Sequence, residues 1–169
     1  MRERVIFDVI GLASPQGSKS AYVRGGRAVI VDGSSKSGRD KHAQWRGDVC
    51  AGAMAARKGI TFEGAVEVRI AFYMPLVASD PYRSLHTTSP DIDKLVRSVL
   101  DSLTNSGLIR DDSLVCSLHA SKEYQGGDGF TGATITVIDR SLEEADRRAR
   151  LKDAAKAFRA SQRLAKKNA

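Results

Sequence analysis

The chain has 169 residues and a hydrophobic content of 41%, which suits one compact domain with a short appendage. Its formal net charge is +7 at pH 7, which favours an anionic partner. No segment is apolar for long enough to span a bilayer, and the first residues lack a secretory signal pattern, so we expect a cytoplasmic protein. Cys50 and Cys116 form no C-x-x-C pair, and we expect small core residues rather than a disulfide framework.

The first half of the chain carries strand, hairpin and helix patterns in turn. Residues 5–10 are rich in β-branched side chains and predict a strand, and Gly25 and Gly26 between two apolar runs predict a hairpin turn. A helix is predicted over residues 40–58, and residues 65–74 alternate between apolar and polar side chains as a half-buried strand does. The helix should bury Trp45, Val49, Cys50, Ala53 and Met54.

A second helix, predicted over residues 91–106, has the clearest pattern. Ser89 is a favourable N-cap, and Pro90 suits the first helical position, where its missing N–H costs nothing. Apolar residues follow at a period near 3.6, and Gly107 provides a C-terminal stop. The apolar positions are Ile92, Leu95, Val96, Val99, Leu100 and Leu103.

Acidic residues flank this second helix at both ends. Asp91 and Asp93 fall in its first turn, and Asp111 and Asp112 follow its end. The first pair can simply complement the helix dipole, and the second pair can be turn residues. If the chain instead returns along the helix, Asp112 approaches Asp91 and Asp93, and three converging carboxylates require a divalent cation. Oxygen ligands of this kind favour Mg²⁺ or Mn²⁺, which serve phosphoryl chemistry.

The rest of the chain predicts two strands and a helix. Residues 114–124 and 131–139 have strand patterns around a Gly-rich turn, so we expect an antiparallel hairpin. Ser141 followed by Glu144 fits a capping box at the start of a helix that reaches about Lys166.

The positive charge is concentrated in this last helix. The segment from Arg140 to Ala169 has ten Lys or Arg and four Asp or Glu, which leaves a net charge of only +1 for the preceding residues. We therefore expect an α+β domain over residues 1–140 and a basic helical tail over residues 141–169. The domain should have a mixed, mostly antiparallel sheet of four or five strands with the two internal helices packed against it.

The acidic stretch resembles the signature of RusA-type Holliday junction resolvases. The matching residues are Asp91, Asp93, Leu95, Asp101, Ser102, Leu103, Gly107, Asp111, Asp112 and, ten residues later, Lys122. Two stretches near the start of the chain, residues 15–19 and 24–27, are similar to phage members of the family, and the tail is outside the resemblance.

The resemblance implies a metal-dependent, homodimeric endonuclease of branched DNA with an α+β fold. It implies that Asp91, Asp93 and Asp112 are the catalytic acids and metal ligands, with Mg²⁺ or Mn²⁺ as the cofactor. This chain departs from the family pattern in two places. Lys94 stands where the family usually has asparagine, and Arg97 stands where it usually has a catalytic lysine. We include Arg97 among the candidate catalytic residues.

Basic and histidine residues along the chain are candidate contacts to DNA phosphates, although each is also compatible with a solvated surface. They are Lys19, Arg24, Arg27, Arg83, His86, Lys94, Lys122, Arg159, Arg163, Lys166 and Lys167. His86 is expected on the surface rather than on a metal, because no second histidine lies at ligand spacing. The alternative function is a non-catalytic protein that recognises branched DNA. A structural domain without a nucleic-acid role is a third interpretation.

Overall fold

The computed structural model describes residues 3–17, 19–32, 35–77, 83, 85–126 and 129–167, and it describes their side chains except at 19–20, 30–32 and 160–167. The elements in chain order are β1 (Arg4–Ile10), β2 (Lys19–Arg24), β3 (Arg27–Asp32), α1 (Lys36–Arg57), β4 (Val66–Met74), α2 (Ile92–Asn105), a 3₁₀ turn (Asp112–Leu114), β5 (Val115–Tyr124), β6 (Gly132–Asp139) and α3 (Ser141–Lys167). Among the described helices, none has the length and apolarity that a bilayer span needs.

Four strands form one mixed sheet in the order β1-β6-β4-β5. β6 pairs antiparallel with β1 and β4, whereas β4 and β5 are parallel. The expected α+β class with a mostly antiparallel sheet is confirmed, but the expected hairpin of residues 114–124 and 131–139 is wrong. Because the chain crosses over from β4 to β5 through α2, β5 pairs with β4, and β4 lies between β5 and β6.

The strands β2 and β3 form a separate two-stranded ribbon, as the sequence predicts. Its turn residues, Gly25 and Gly26, have φ angles of 59° and 75°. Two successive residues with positive φ are what the tightest hairpin turns require, and glycine adopts them without a steric cost. Arg24 and Arg27 pair directly across this turn and are exposed.

The core lies between the sheet and the two internal helices. Side chains on one face of β1, β4 and β6 pack against residues of α1 and α2. Trp45 and Val49 from α1 are almost completely buried, as are Leu95, Val99 and Leu103 from α2. The apolar residues that recur every 3.6 positions in α2 therefore form the face that packs into the core.

Three other predicted core positions are not in the core. Cys50 is only half-buried, and Met54 is 56% exposed because α1 turns that side of the helix toward solvent. Cys116 is exposed near the start of the edge strand β5, where its thiol donates to the Val66 carbonyl at 3.3 Å.

Glu67 is buried, although the alternation of β4 places it on the face away from the helices. Its carboxylate accepts from Arg69 Nε at 2.6 Å and also pairs with Arg140, which follows β6. The hydrogen bond from Arg69, together with both positive charges, lowers the pKa of Glu67 and outweighs the opposite effect of burial. Arg140 also pairs with Glu143, so this network joins the sheet to the beginning of α3.

The helix α3 begins at Ser141, so Ser141 is not its N-cap and the predicted capping box is wrong. Instead, the Asp139 carboxylate accepts from the Ser141 backbone N–H at 2.9 Å. Apolar side chains along the helix are solvent-exposed, including Leu142, Leu151 and Phe158. The helix therefore contributes little to the core of the domain.

Candidate active site at the start of the acidic helix

Asp91 and Asp93 lie at the N-terminal end of α2. Asp91 is the N-cap, with extended backbone angles (φ −67°, ψ 137°), and Asp93 is in the first turn. The helix therefore begins at Ile92, and the predicted N-cap Ser89 and N1 proline Pro90 both precede it. Both carboxylates are exposed and line an open pocket of about 630 Å³. The wall of that pocket also includes His86, Thr88, Ala120 and Lys122.

Lys94 forms an ion pair with Asp91, and its Nζ lies 2.7 Å from Asp91 Oδ2. The hydrogen bond and charge of Lys94 lower the pKa of Asp91, and the same bond raises the pKa of Lys94. Asp91 is therefore ionised, and a positive charge already lies beside it.

Lys122, near the end of β5, contacts the segment that leads into α2. Its Nζ donates to the carbonyl oxygens of Thr88 and Pro90, at 2.6 Å in both cases. Its own backbone carbonyl accepts from the His86 N–H at 3.2 Å. An additional bridge pairs Leu85 with Glu123. The end of β5 therefore fixes the backbone immediately before Asp91.

His86 is buried, which differs from the surface position expected from the sequence. Its ring packs against Tyr124, with 4.8 Å between the ring centroids, because the segment that precedes α2 lies against the end of β5. Burial, and then the charge of Lys122, lowers the pKa of His86. A neutral, mostly inaccessible imidazole is poorly placed for a phosphate contact.

Asp112 lies at the other end of α2. Ile109 and Arg110 pair with Phe62, just before β4, and Val115 then pairs with Val66. Lys122, which contacts Pro90, pairs with Phe72. The β4 residue beside the start of β5 and the β4 residue beside Lys122 are therefore six positions apart. That is about 20 Å of strand.

Within one chain, Asp112 therefore does not approach the first turn of α2, in contrast to the expected convergence. Among the described residues, no group of three or more His, Cys, Asp or Glu is arranged to hold a metal ion. Asp111 acts as a turn residue, because its carboxylate accepts from the Ser113 N–H at 2.9 Å. Hydrogen bonds from the Ser113 side chain and then from this N–H lower the pKa of Asp111. The metal-ligand assignment of Asp91, Asp93 and Asp112 remains a prediction.

Arg97 lies one turn after Asp93 on α2 and is exposed. Residues four apart on a helix are neighbours, so the guanidinium and the Asp93 carboxylate belong to the same region of the surface. On the same turn, the Lys94 carbonyl accepts from the Gln16 N–H at 3.1 Å. The segment after β1 therefore borders the candidate site, a relationship that no sequence pattern indicates.

The other predicted DNA contacts belong to several different parts of the chain. Arg83 and Arg159 are exposed. The side chains of Lys19, Arg163, Lys166 and Lys167 lie outside the described part of the structure, although Lys19 begins β2 and the other three belong to α3.

The role of Lys122 in holding the backbone before Asp91 was not predicted from the sequence. The available signal was its position ten residues after Asp112, but spacing alone does not reveal that the parallel β5 carries it to the opposite end of α2. The contact between His86 and Tyr124 has no sequence signal, because it depends on the same strand pairing.

A family model matches the part of the chain that contains the candidate site. The family model described as endodeoxyribonuclease RusA matches residues 19–137, which is more than two thirds of the chain. No curated protein matches the chain significantly. The matched region includes the β2–β3 ribbon, both internal helices and the strands β4 and β5 in full, and it ends before α3. The chain belongs to the RusA endodeoxyribonuclease family.

Proposed function

We propose that the protein is a Mg²⁺-dependent endonuclease that cleaves Holliday junctions and other branched DNA in a bacterial or phage-infected cell, as a phage-type member of its family. The observation that carries the proposal is the pair of exposed carboxylates, Asp91 and Asp93, at an open pocket within the region that matches the family. Hard oxygen donors with no cysteine and no accessible histidine among them suit Mg²⁺, with Mn²⁺ as a substitute.

Asp91 and Asp93 would hold the metal together with Asp112, and Arg97 would contact the scissile phosphate. When bound, the metal supplies a polarised water for attack on phosphorus and stabilises the developing negative charge. The N-terminal end of α2 adds the partial positive charge of its free N–H groups, which favours phosphate at this place. Arginine is poorly suited to proton transfer and binds phosphate through a planar fork, so the proposed role of Arg97 is charge stabilisation.

We propose further that the protein is a homodimer and that the dimer completes the metal site. In its own chain, Asp112 precedes the start of β5, whereas Lys122, which bonds to the residue before Asp91, lies near the end of β5. Two α2 helices packed antiparallel about a two-fold axis would bring the first turn of one helix beside the last turn of the other. Asp112 of the partner subunit would then lie near Asp91 and Asp93. Two such sites also suit the two symmetry-related strands of a four-way junction.

The test of the activity uses a labelled four-way junction and a matched linear duplex, each with and without Mg²⁺. The wild type should cleave only the junction, and only with the metal. Asp93→Asn should abolish cleavage yet keep or strengthen junction binding, because it removes a negative charge that faces phosphate. Undiminished cleavage by Asp93→Asn would refute the proposed site, and binding without cleavage by the wild type would favour the non-catalytic alternative.

A mixing experiment tests the composite site. Asp93→Asn and Asp112→Asn should each be inactive as homodimers. In a mixed dimer, one of the two sites regains an intact Asp93 from one chain and an intact Asp112 from the other, so cleavage should partly return. If all three acids come from one chain, every site in the mixed dimer has a defect and cleavage stays absent. Light scattering at micromolar concentration checks that a dimer is present.

The tail is proposed as an additional electrostatic contact to DNA, separate from the nuclease domain of residues 1–140. Two observations support this division: the family match ends at residue 137, and α3 begins at Ser141 with exposed apolar residues. Most of the net positive charge lies in residues 141–169, which makes this segment the natural site for phosphate neutralisation.

A further inference from the structure

Lys122 makes two short contacts that have no counterpart in a solvated lysine. The ammonium donates to two carbonyl oxygens, those of Thr88 and Pro90, at 2.6 Å each. Charge-assisted hydrogen bonds of this length are stronger than neutral ones. Both carbonyls precede the N-cap Asp91, so they lie outside the bonding pattern of α2, and Lys122 provides their donor.

The backbone of Lys122 holds the same segment from the other side. Its carbonyl accepts from the His86 N–H at 3.2 Å, and its neighbour Glu123 pairs with Leu85. The segment from Leu85 to Pro90 is therefore attached to the end of β5 at several points. β5 in turn is fixed by its pairing with β4, in which Phe72 is fully buried. Among these attachments, the Lys122 side chain is the one that reaches Pro90, the residue immediately before Asp91.

We infer that Lys122 is a positioning residue, which fixes the backbone before Asp91 so that the Asp91 and Asp93 carboxylates are held in place for the metal. This inference rests on the proposed function of those two acids. It differs from the role of a phosphate contact, in which Lys122 would act on DNA directly. An ammonium has three N–H donors, and two of them are used by the carbonyls.

The two roles predict different behaviour for Lys122→Met, which keeps the length of the side chain and removes its donors. If Lys122 is a positioning residue, Lys122→Met should leave junction affinity and its salt dependence unchanged. It should lower the single-turnover cleavage rate and raise the Mg²⁺ concentration needed for half-maximal rate, each about 10–100-fold, as the loss of an outer partner of a metal ligand does. If Lys122 contacts a phosphate, Lys122→Met should instead weaken junction binding and reduce the salt slope by about 1.

The experiment compares the wild type with Lys122→Met, Lys122→Arg and the control Lys41→Met. Lys41 lies on α1 and is exposed, so its replacement removes the same charge and leaves the Lys122 contacts with Thr88 and Pro90 in place. Junction affinity is measured without Mg²⁺ at several salt concentrations, and cleavage is measured with the enzyme in excess. Lys122→Arg retains donors for the carbonyls and should recover most of the rate.

Hydrogen exchange provides a readout that does not need activity. In Lys122→Met, exchange should become faster at the His86 and Leu95 amides, which bond to Lys122 and Asp91 respectively, while exchange in β4 stays slow and shows that the domain is folded. A salt slope lower by about 1 with an unchanged saturated rate would overturn the inference, and so would unchanged exchange at both amides. A wild type that does not cleave would refute the proposed function, and the exchange result would still decide the inference.

Discussion

The Lys94 ammonium lies 2.7 Å from the carboxylate of Asp91, a residue that is proposed to hold a metal. The Asp91 side chain is 58% exposed and that of Lys94 is 38% exposed, so solvent screens the pair. Exposed pairs of this kind contribute only a small free energy. A cation that binds Asp91 must compete with Lys94 for the same oxygen atoms. The pairing therefore weakens metal binding by a small factor without preventing it.

Replacing Lys94 with asparagine should tighten metal binding. The loss of a screened pair corresponds to an increase in affinity of about two- to fivefold. The measurement is Mn²⁺ binding followed by electron paramagnetic resonance, with Lys41→Asn as the control for the loss of one surface charge. An unchanged affinity in Lys94→Asn would show that the ion pair does not compete with the metal.

His86 should make stability depend on pH near neutrality. Burial, followed by the charge of Lys122, lowers the pKa of His86 below its ordinary value of 6.5. The unfolded chain therefore takes up this proton at a higher pH than the folded protein does. The free energy of unfolding should fall as the pH drops through about 6.5 and should level off below the pKa of the folded state. Urea unfolding at pH 7.5 and 5.5 measures this change. His86→Phe keeps the ring beside Tyr124 and should show a smaller decline; an equal decline in both proteins would exclude His86 as its source.

Glu67→Gln should destabilise the domain by about 1–3 kcal/mol, because it weakens two charge-assisted bonds at a buried position. The Glu67 side chain is only 5% exposed, whereas those of Arg69 and Arg140 are 60% and 27% exposed and can partly rehydrate. Because both arginines can be partly rehydrated, the loss of stability should be smaller than for breaking a fully buried ion pair. Urea unfolding is the measurement, with Glu63→Gln, an exposed residue of the loop before β4, as the control. Equal midpoints for the two variants would contradict the assigned role of Glu67.

The helices and strands could be predicted from the sequence because each depends on local periodicity. The alternation of residues 65–74 and the 3.6-residue pattern of α2 both correspond to the observed core. The order of strands depends on which elements meet, and a Gly-rich turn between β5 and β6 wrongly suggested a hairpin. The expected convergence of Asp112 with Asp91 and Asp93 rested on a separate assumption, that the chain returns along the helix. The chain does return, as β5, but Asp112 lies at the start of that return, at the end of α2 that is opposite to Asp91.

Arg97 should contribute to cleavage as a fixed positive charge. Arg97→Ala should lower the single-turnover rate on a bound junction by about 10²–10³-fold, similar to the loss of one oxyanion donor. Arg97→Lys should retain much of the rate, because a lysine also provides a positive charge at this position. A faster Arg97→Lys would show instead that the reaction needs proton transfer, for which arginine is unsuited. Full activity of Arg97→Ala would mean that another cation provides the charge.

The basic end of α3 should account for part of the DNA affinity and its salt dependence. A variant with Arg159, Arg163, Lys166 and Lys167 replaced by glutamine keeps a helical composition and removes four charges, so the slope of log affinity against log salt should decrease by up to about 3–4.

Removal of residues 141–169 should have at least this effect. Because Leu142, Leu151 and Phe158 are exposed, the truncated domain should still unfold cooperatively. Cleavage at saturating enzyme should change little, since Asp91 and Asp93 lie at the start of α2 and not in the tail. An unchanged salt slope in the glutamine variant would show that the tail does not contact DNA, and the basic residues of the β2–β3 ribbon would then be the next candidates for substitution.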